Sequence, residues 1–506
     1  MSLYSIGFLA FLFCLLLAYY LLPHRFRWAL LLLGSVFFYL TYSRVSAIMI
    51  GALILFNYLL GLRMERVPAD KRGGLLWAGI IFDIGLLLLY KFFGPWLGSL
   101  PAFRGDPTLS QFALIPIGLS FHALQAVSYL VEVSRGNQAA ERHAGIFALS
   151  ILFFPRVLAG PIERPSVIGQ FKSQVTFDYA TVTEGMKILA WGFFKKMVVA
   201  DRLVPMANMV YLEPREYSGV TLLYAVIVFA FAIYADFSGY SDIAVGAARM
   251  FGIKLTQNFS RPYSARSISE FWQRWHISLS NWLRDYIFFP LRRFLLRKWG
   301  GRAPLAAIIV PPIVTMLASG LWHGSGWTFL VWGLLHGLYL VFFQLTEPFW
   351  QRLSSIMRLD RVPRLVALFQ QVVTFSLVSF ALIFFQANTL EDAFYVIAHM
   401  GEGLPSYLLS SAREIAAMLP SLGPRTFYKT LMQVMSPMAL ENEFDWFLMI
   451  VAFAVFLILE WTQFDLMKIS RQPVLIRWMI YTLFLAVTLL LAVQSVLIKE
   501  FIYFRF

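Results

Sequence analysis

Long apolar runs separated by short polar stretches fill most of the chain. One α-helix needs about 20 apolar residues to cross the hydrocarbon core of a bilayer. Runs of that kind lie at 3–22, 28–42, 45–62, 75–93, 112–133, 146–158, 186–200, 219–250, 306–321, 327–345, 365–385, 446–461 and 475–498. Several are short, or are broken by Pro and Gly. The pattern predicts about 11 full crossings, with the remaining pieces re-entrant or interfacial; backbone of that sort survives at membrane depth only where protein or water satisfies it. The expected fold class is an all-α polytopic integral membrane protein, a single transmembrane domain over 1–506. No internal repeat is visible, which argues against an inverted-repeat transporter.

Composition sharpens this picture. Of 506 residues, 59% are hydrophobic and 14% are charged, against roughly 25% charged in soluble proteins. An ordinary soluble enzyme and a disordered chain are both excluded. The net charge of +14 suits the positive-inside bias and contact with anionic lipid; no nucleic-acid motif accompanies the basic residues. Cys14 is the lone cysteine, so no internal disulfide and no Cys-pair metal site can form. The first run lacks a charged leader and a cleavage site, and reads as a retained helix.

Loop charge gives an orientation. Residues 249–302 hold eleven Lys/Arg against Glu270 and Asp285, and 346–364 hold four Arg against Glu347 and Asp360. Residues 387–444 hold six acids against three bases. Placing 249–302, 346–364 and 462–474 in the cytoplasm and 387–444 outside is self-consistent. The basic interfacial segment is thus 249–304 and the extracytoplasmic loop 387–444. Lys195-Lys196 reads as a pair snorkelling to the interface. Asp236 to Asp242 interrupts an apolar run, either as a polar break lining a cavity or as a turn at the membrane edge.

Two stretches carry candidate chemistry. Gly320-Leu321-Trp322-His323-Gly324-Ser325-Gly326-Trp327 joins two apolar runs and sets one imidazole at a glycine-framed helix break. Ionisable groups inside a membrane are functional candidates by default, although a lone histidine can also simply donate to a carbonyl at a helix end. Ser325 beside it is a weak nucleophile candidate. The second stretch runs from Ser267 to Tyr286. Ser267 and Glu270 have capping-box spacing. At 100° per residue Trp272, Trp275, Leu279, Trp282, Leu283 and Tyr286 share one face of a continuous helix, opposite Arg274, Ser278, Asn281, Arg284 and Asp285. Such a helix would lie in the cytoplasmic interface, with His276 at the edge of its aromatic face. No H-E-x-x-H, P-loop or G-x-S-x-G is present.

The runs Asn258-Phe259-Ser260-Arg261-Pro262-Tyr263, Phe271-Trp272-Gln273-Arg274-Trp275-His276-Ile277-Ser278-Leu279-Ser280-Asn281-Trp282-Leu283-Arg284-Asp285-Tyr286 and Leu321-Trp322-His323-Gly324 closely resemble the membrane-bound O-acyltransferase (MBOAT) family. The likeness is greatest to its bacterial branch of alginate O-acetylation and teichoic-acid D-alanylation membrane proteins. Pro116 to Phe121, Phe154 to Ile162 and Phe501 to Phe506 add to it. The resemblance implies membrane helices around a central tunnel that joins the two faces. It implies acyl transfer from a thioester to a hydroxyl, with His323 at the family's catalytic histidine and His276 at its second motif histidine. Trp322, Arg274, Asn281 and Ser325 are then expected to contact substrate, and no metal is expected.

A histidine near pKa 6.5 can take a hydroxyl proton during attack, an effect worth about 10²–10⁴ in rate. The oxyanion donors would be His276, Asn281 or backbone N–H groups at 324–326. The expected activity is O-acetyl transfer in the bacterial cytoplasmic (inner) membrane. The donor would be acetyl-CoA or a carrier-protein phosphopantetheine thioester, used as substrate and not held permanently. The acceptor would be an exported polysaccharide such as alginate, reached through a hydrolase-like extracytoplasmic partner docking on 387–444. D-alanyl transfer to teichoic acid, and a transporter or flippase that makes no covalent bond, are the alternatives.

Overall fold

The computed structural model describes residues 3–100, 116, 118–157, 160–298, 304–418, 429, 443–461 and 472–493. Helices fill them, and no strand occurs among the described residues. Among the described residues seven helices are long and apolar enough to cross a membrane: Arg44–Glu65, Ala69–Ser99, Gly219–Met250, Leu305–His323, Trp327–Ile356, Pro363–Gln386 and Val474–Ala492. Ile6–Leu21, Ala144–Arg156 and Ile450–Glu460 are shorter apolar helices. Side chains such as Leu483, Phe369 and Leu55 stand exposed along these spans, which is the expected state of a surface solvated by acyl chains. Asp236 to Asp242 forms no break; it lies within one helix, Gly219–Met250.

The chain folds as two compact units. The first comprises Met1–Gly192, Tyr240–Asn258 and His276–Trp282. The second comprises Phe193–Gly239, Phe259–Trp275 and Leu283–Phe506.

In the first unit Phe8, Phe38 and Phe154 pack around one another, with Phe11 edge-on to Phe154 at 5.2 Å. The helix Leu119–Ser134 is almost wholly buried. Small residues let its neighbours close on it: a Cβ on Gly79 would stand 2.2 Å from Leu130 Cδ1, and one on Gly61 2.6 Å from the Tyr129 ring. This unit also buries polar side chains. Asn57 Nδ2 donates to Asp83 Oδ1 at 2.8 Å, and Arg156 is 1% exposed.

In the second unit Lys196 is buried, contrary to the snorkelling expectation. Its Nζ lies 2.6 Å from Asp236 Oδ1 and 2.8 Å from Asp201 Oδ1. A buried ammonium persists only with such partners. The described part of 387–444 includes two amphipathic helices, Leu390–His399 and Leu404–Met418. Thr389 caps the first, its Oγ1 accepting from the Asp392 N–H at 3.1 Å. The tail Phe501–Phe506 and much of 419–442 lie outside the described residues.

Removing one partner of a buried ion group leaves an uncompensated charge, a loss of about 3–5 kcal/mol. Lys196→Met should therefore lower the thermal midpoint of the detergent-solubilised protein sharply. The triple replacement Lys196→Met, Asp201→Asn, Asp236→Asn should recover much of the loss. Melting curves of the two variants check both statements.

Candidate active site

The second unit seats His323 at the end of a helix hairpin. Apolar runs give the two helices, Pro304–His323 and Trp327–Ile356. Glycines set their spacing. A Cβ on Gly320 would stand 2.3 Å from the Phe329 carbonyl oxygen, and one on Gly333 2.4 Å from the Met316 oxygen. Any side chain at these positions would force the helices apart. Gly324 and Gly326 make the turn, and a Cβ on Gly324 would enter the Phe329 ring.

His323 is the last residue of its helix and is 6% exposed. Trp322, Trp332 and Phe385 stand edge-on to its ring at 4.9, 5.1 and 5.1 Å. Beside it lies a slot of about 20 Å³ lined by Ile233, Phe271, Trp275, Trp332, His336, Val378, Leu382 and Phe385 as well as His323. A cavity needs roughly 10–15 Å³ to hold one water, so the slot admits one group of that size.

The second motif supplies part of this wall. Ser267 Oγ accepts from the Glu270 N–H at 3.1 Å, and Glu270 Oε2 accepts from the Arg266 N–H at 2.7 Å. This cap starts the helix Ile268–Arg274, which directs Phe271, and Trp275 just beyond it, to the slot. Arg274 is engaged elsewhere: its Nη1 donates to Ser264 Oγ at 2.8 Å and its Nη2 to Glu270 Oε1. The expected continuous helix does not form. It breaks at His276, whose φ is 43°, and resumes as Ile277–Leu283. A non-glycine residue at positive φ is uncommon and strained, by about 1–3 kcal/mol.

The first unit holds that break in place. The Ile277 N–H donates to the Asn258 carbonyl at 2.9 Å, and the Ser278 N–H to Asn258 Oδ1 at 3.2 Å. Ser278 Oγ accepts from the Ile162 N–H at 3.0 Å, so a residue assigned to the polar face is buried. Trp282 Nε1 donates to the Leu124 carbonyl and to Ser128 Oγ. The aromatic face is thus buried in protein instead of anchoring in lipid. His276 is 1% exposed, with its ring stacked on Phe121 at 6.5 Å.

Of the residues singled out from sequence, His323, Trp322, Arg274 and Ser325 fall in the second unit, and His276 and Asn281 in the first. Trp322 is buried against His323, while Ser325 is exposed on the turn. The Asn281 carbonyl accepts from Arg164 Nη2 at 2.9 Å. Sequence reasoning missed His336 and Trp332. Their signal was present: Gly333 and Gly337 flank His336, as Gly320 and Gly324 flank His323, and Trp332 lies one helical turn away on the same face.

Comparison with known proteins decides the family. Residues 147–386 match the sequence profile of the membrane-bound O-acyltransferase family. A protein of Azotobacter vinelandii named probable alginate O-acetylase AlgI is 34% identical over 389 residues, 76% of this chain and 74% of its own length. Its namesake in Pseudomonas aeruginosa is 30% identical over 443 residues, 84% of this chain and 81% of its own. The peptidoglycan O-acetyltransferase of Helicobacter pylori is 30% identical over 402 residues, 73% of each chain.

The chain belongs to the membrane-bound O-acyltransferase family. It is a multi-pass membrane acyltransferase, and the resemblance read from its Trp- and His-rich motifs holds. His323 and His276, the histidines of the two Trp-rich stretches, are both buried, the first against Trp322, Trp332 and Phe385 and the second on Phe121.

Burial pushes the His276 imidazole pKa down to about 3. The native state therefore keeps this ring neutral, while the unfolded chain binds a proton below about pH 6.5. The native state is fully favoured above that value and loses up to about 1.4 kcal/mol per pH unit as pH falls toward 3. In His276→Asn, which tolerates positive φ, the decline in thermal midpoint from pH 6.5 to 4 should be shallower by about one proton. Parallel declines in variant and wild type would contradict the assignment.

Proposed function

We propose that this enzyme moves an acetyl group from a cytoplasmic thioester, acetyl-CoA or a carrier-borne phosphopantetheine, across the bacterial cytoplasmic membrane for O-acetylation of an exported polysaccharide. Three relatives carry names for alginate or peptidoglycan O-acetylation. The observation that carries the reading is His323 beside a slot of about 20 Å³ with a largely apolar lining. A methyl group suits such a slot. An aminoacyl group would bring an ammonium into an apolar wall, at a desolvation cost of several kcal/mol, which favours acetyl over D-alanyl transfer.

In this reaction His323 takes the acceptor hydroxyl proton as its oxygen attacks the thioester carbonyl carbon. The C=O electrons move to oxygen and then return, breaking the C–S bond. The imidazolium gives its proton to the departing thiolate. The neutral imidazole is the form that can act as base. A hydrolase-like extracytoplasmic protein relays the acetyl group to the polymer, and the acidic segment 387–444 is its docking surface.

His323→Ala should lower transfer from radiolabelled acetyl-CoA by about 10²–10⁴, with the thermal midpoint near that of wild type. Acetylation retained in that variant would remove His323 from the mechanism. A transporter would show no thioester turnover at all in the purified protein.

A further inference from the structure

Trp332 and His336 belong to the same wall as His323 and have no role assigned by the family's two motifs. Both lie within the second unit and both line the slot. Trp332 is 3% exposed and His336 1%. The Trp332 ring stands between the two imidazoles, 5.1 Å from His323 and 5.0 Å from His336. Phe271 stacks on His336 at 6.3 Å, and Trp272 stands edge-on to it at 5.1 Å.

Their polar atoms are conspicuous. Trp332 Nε1 and His336 Nδ1 are buried and have no hydrogen-bond partner among the described residues. An indole nitrogen can only donate. Leaving such a donor buried without an acceptor costs about 1–3 kcal/mol, so native structures seldom retain one without use. The remaining wall, Ile233, Phe271, Trp275, Val378, Leu382 and Phe385, consists of apolar side chains and a single indole. A negatively charged oxygen formed here would find little water to solvate it. Catalysis of acyl transfer needs donors fixed where that charge develops, and they act most strongly in a dry site.

We propose that Trp332 and His336 form the oxyanion hole of this enzyme. Trp332 Nε1–H and the imidazole of His336, with its proton on Nδ1, donate to the carbonyl oxygen of the acetyl thioester. As the acceptor oxygen bonds to the carbonyl carbon, the C=O electron pair becomes a lone pair on that oxygen, and the two donors hold it. The pair returns when the C–S bond breaks. This replaces His276, Asn281 and the 324–326 backbone as donors. It also gives the glycines at 333 and 337 a purpose: they bring the face carrying Trp332 and His336 against the helix that ends in His323. The inference rests on the acyl-transfer reading and deepens it.

The test uses the full-length purified protein with acetyl-CoA as probe, thiol release being followed for kcat and KM. Trp332→Phe keeps the ring and deletes only the N–H. It should lower kcat by about 10²–10³, with KM within about twofold and an unchanged thermal midpoint. His336→Phe should lose a similar factor, and His336→Gln, which restores an N–H donor, should recover part of it. If His336→Phe fails to fold, Trp332→Phe decides alone. Wild-type kcat in Trp332→Phe, alongside an inactive His323→Ala, overturns the oxyanion hole and leaves the acyl-transfer reading standing. Wild-type turnover in His323→Ala, or a wild-type chain that turns over no acetyl-CoA, overturns the reading and the inference with it.

Discussion

The close approach of two helices at Gly320, Gly333 and Gly337 is the constraint on which this site depends. With a side chain at these positions the pair could not hold Met316 and Phe329 backbone in contact with the opposite helix. The helices would separate, and His323 would lose the walls that Trp332 and Phe385 provide. Lipid gives two apolar helices no hydrophobic reason to associate, so close van der Waals packing at small residues has to do so. The same glycines therefore fix both the hairpin and the geometry of its chemistry.

A second constraint is the cost of polar groups in such an interior. The structure meets it in two ways. Lys196 pairs with Asp201 and Asp236, and Asn57 Nδ2 donates to Asp83 Oδ1. The donors of Trp332 and His336 meet no acceptor among the described residues and stand beside the slot. The first arrangement holds the fold together. The second keeps binding capacity in reserve, the usual exchange of stability for function at a working site.

What could be read from sequence follows the range of the interactions involved. The apolar runs and the Gly-Leu-Trp-His-Gly turn are local patterns, and they located the membrane helices and His323. The fate of Lys196 depends on Asp236, forty residues away, so a snorkelling side chain and a buried ion group looked alike. The break at His276 was hidden because capping and 100° periodicity continue through it, while the force that imposes φ 43° comes from Asn258. His336 stayed unnoticed for a related reason. One histidine in an apolar helix reads as core until Phe271, far off in sequence, is seen against it.

The most direct test of the central claim is structural. An acetyl-CoA analogue with a methylene in place of sulfur cannot transfer its acetyl group. Its complex with the full-length protein, imaged by electron cryomicroscopy, should show the ketone carbon within about 4 Å of the His323 ring, a separation suited to attack by a hydroxyl held between them. An acetyl group bound away from His323, with that ring sealed from ligand and water alike, would contradict the account.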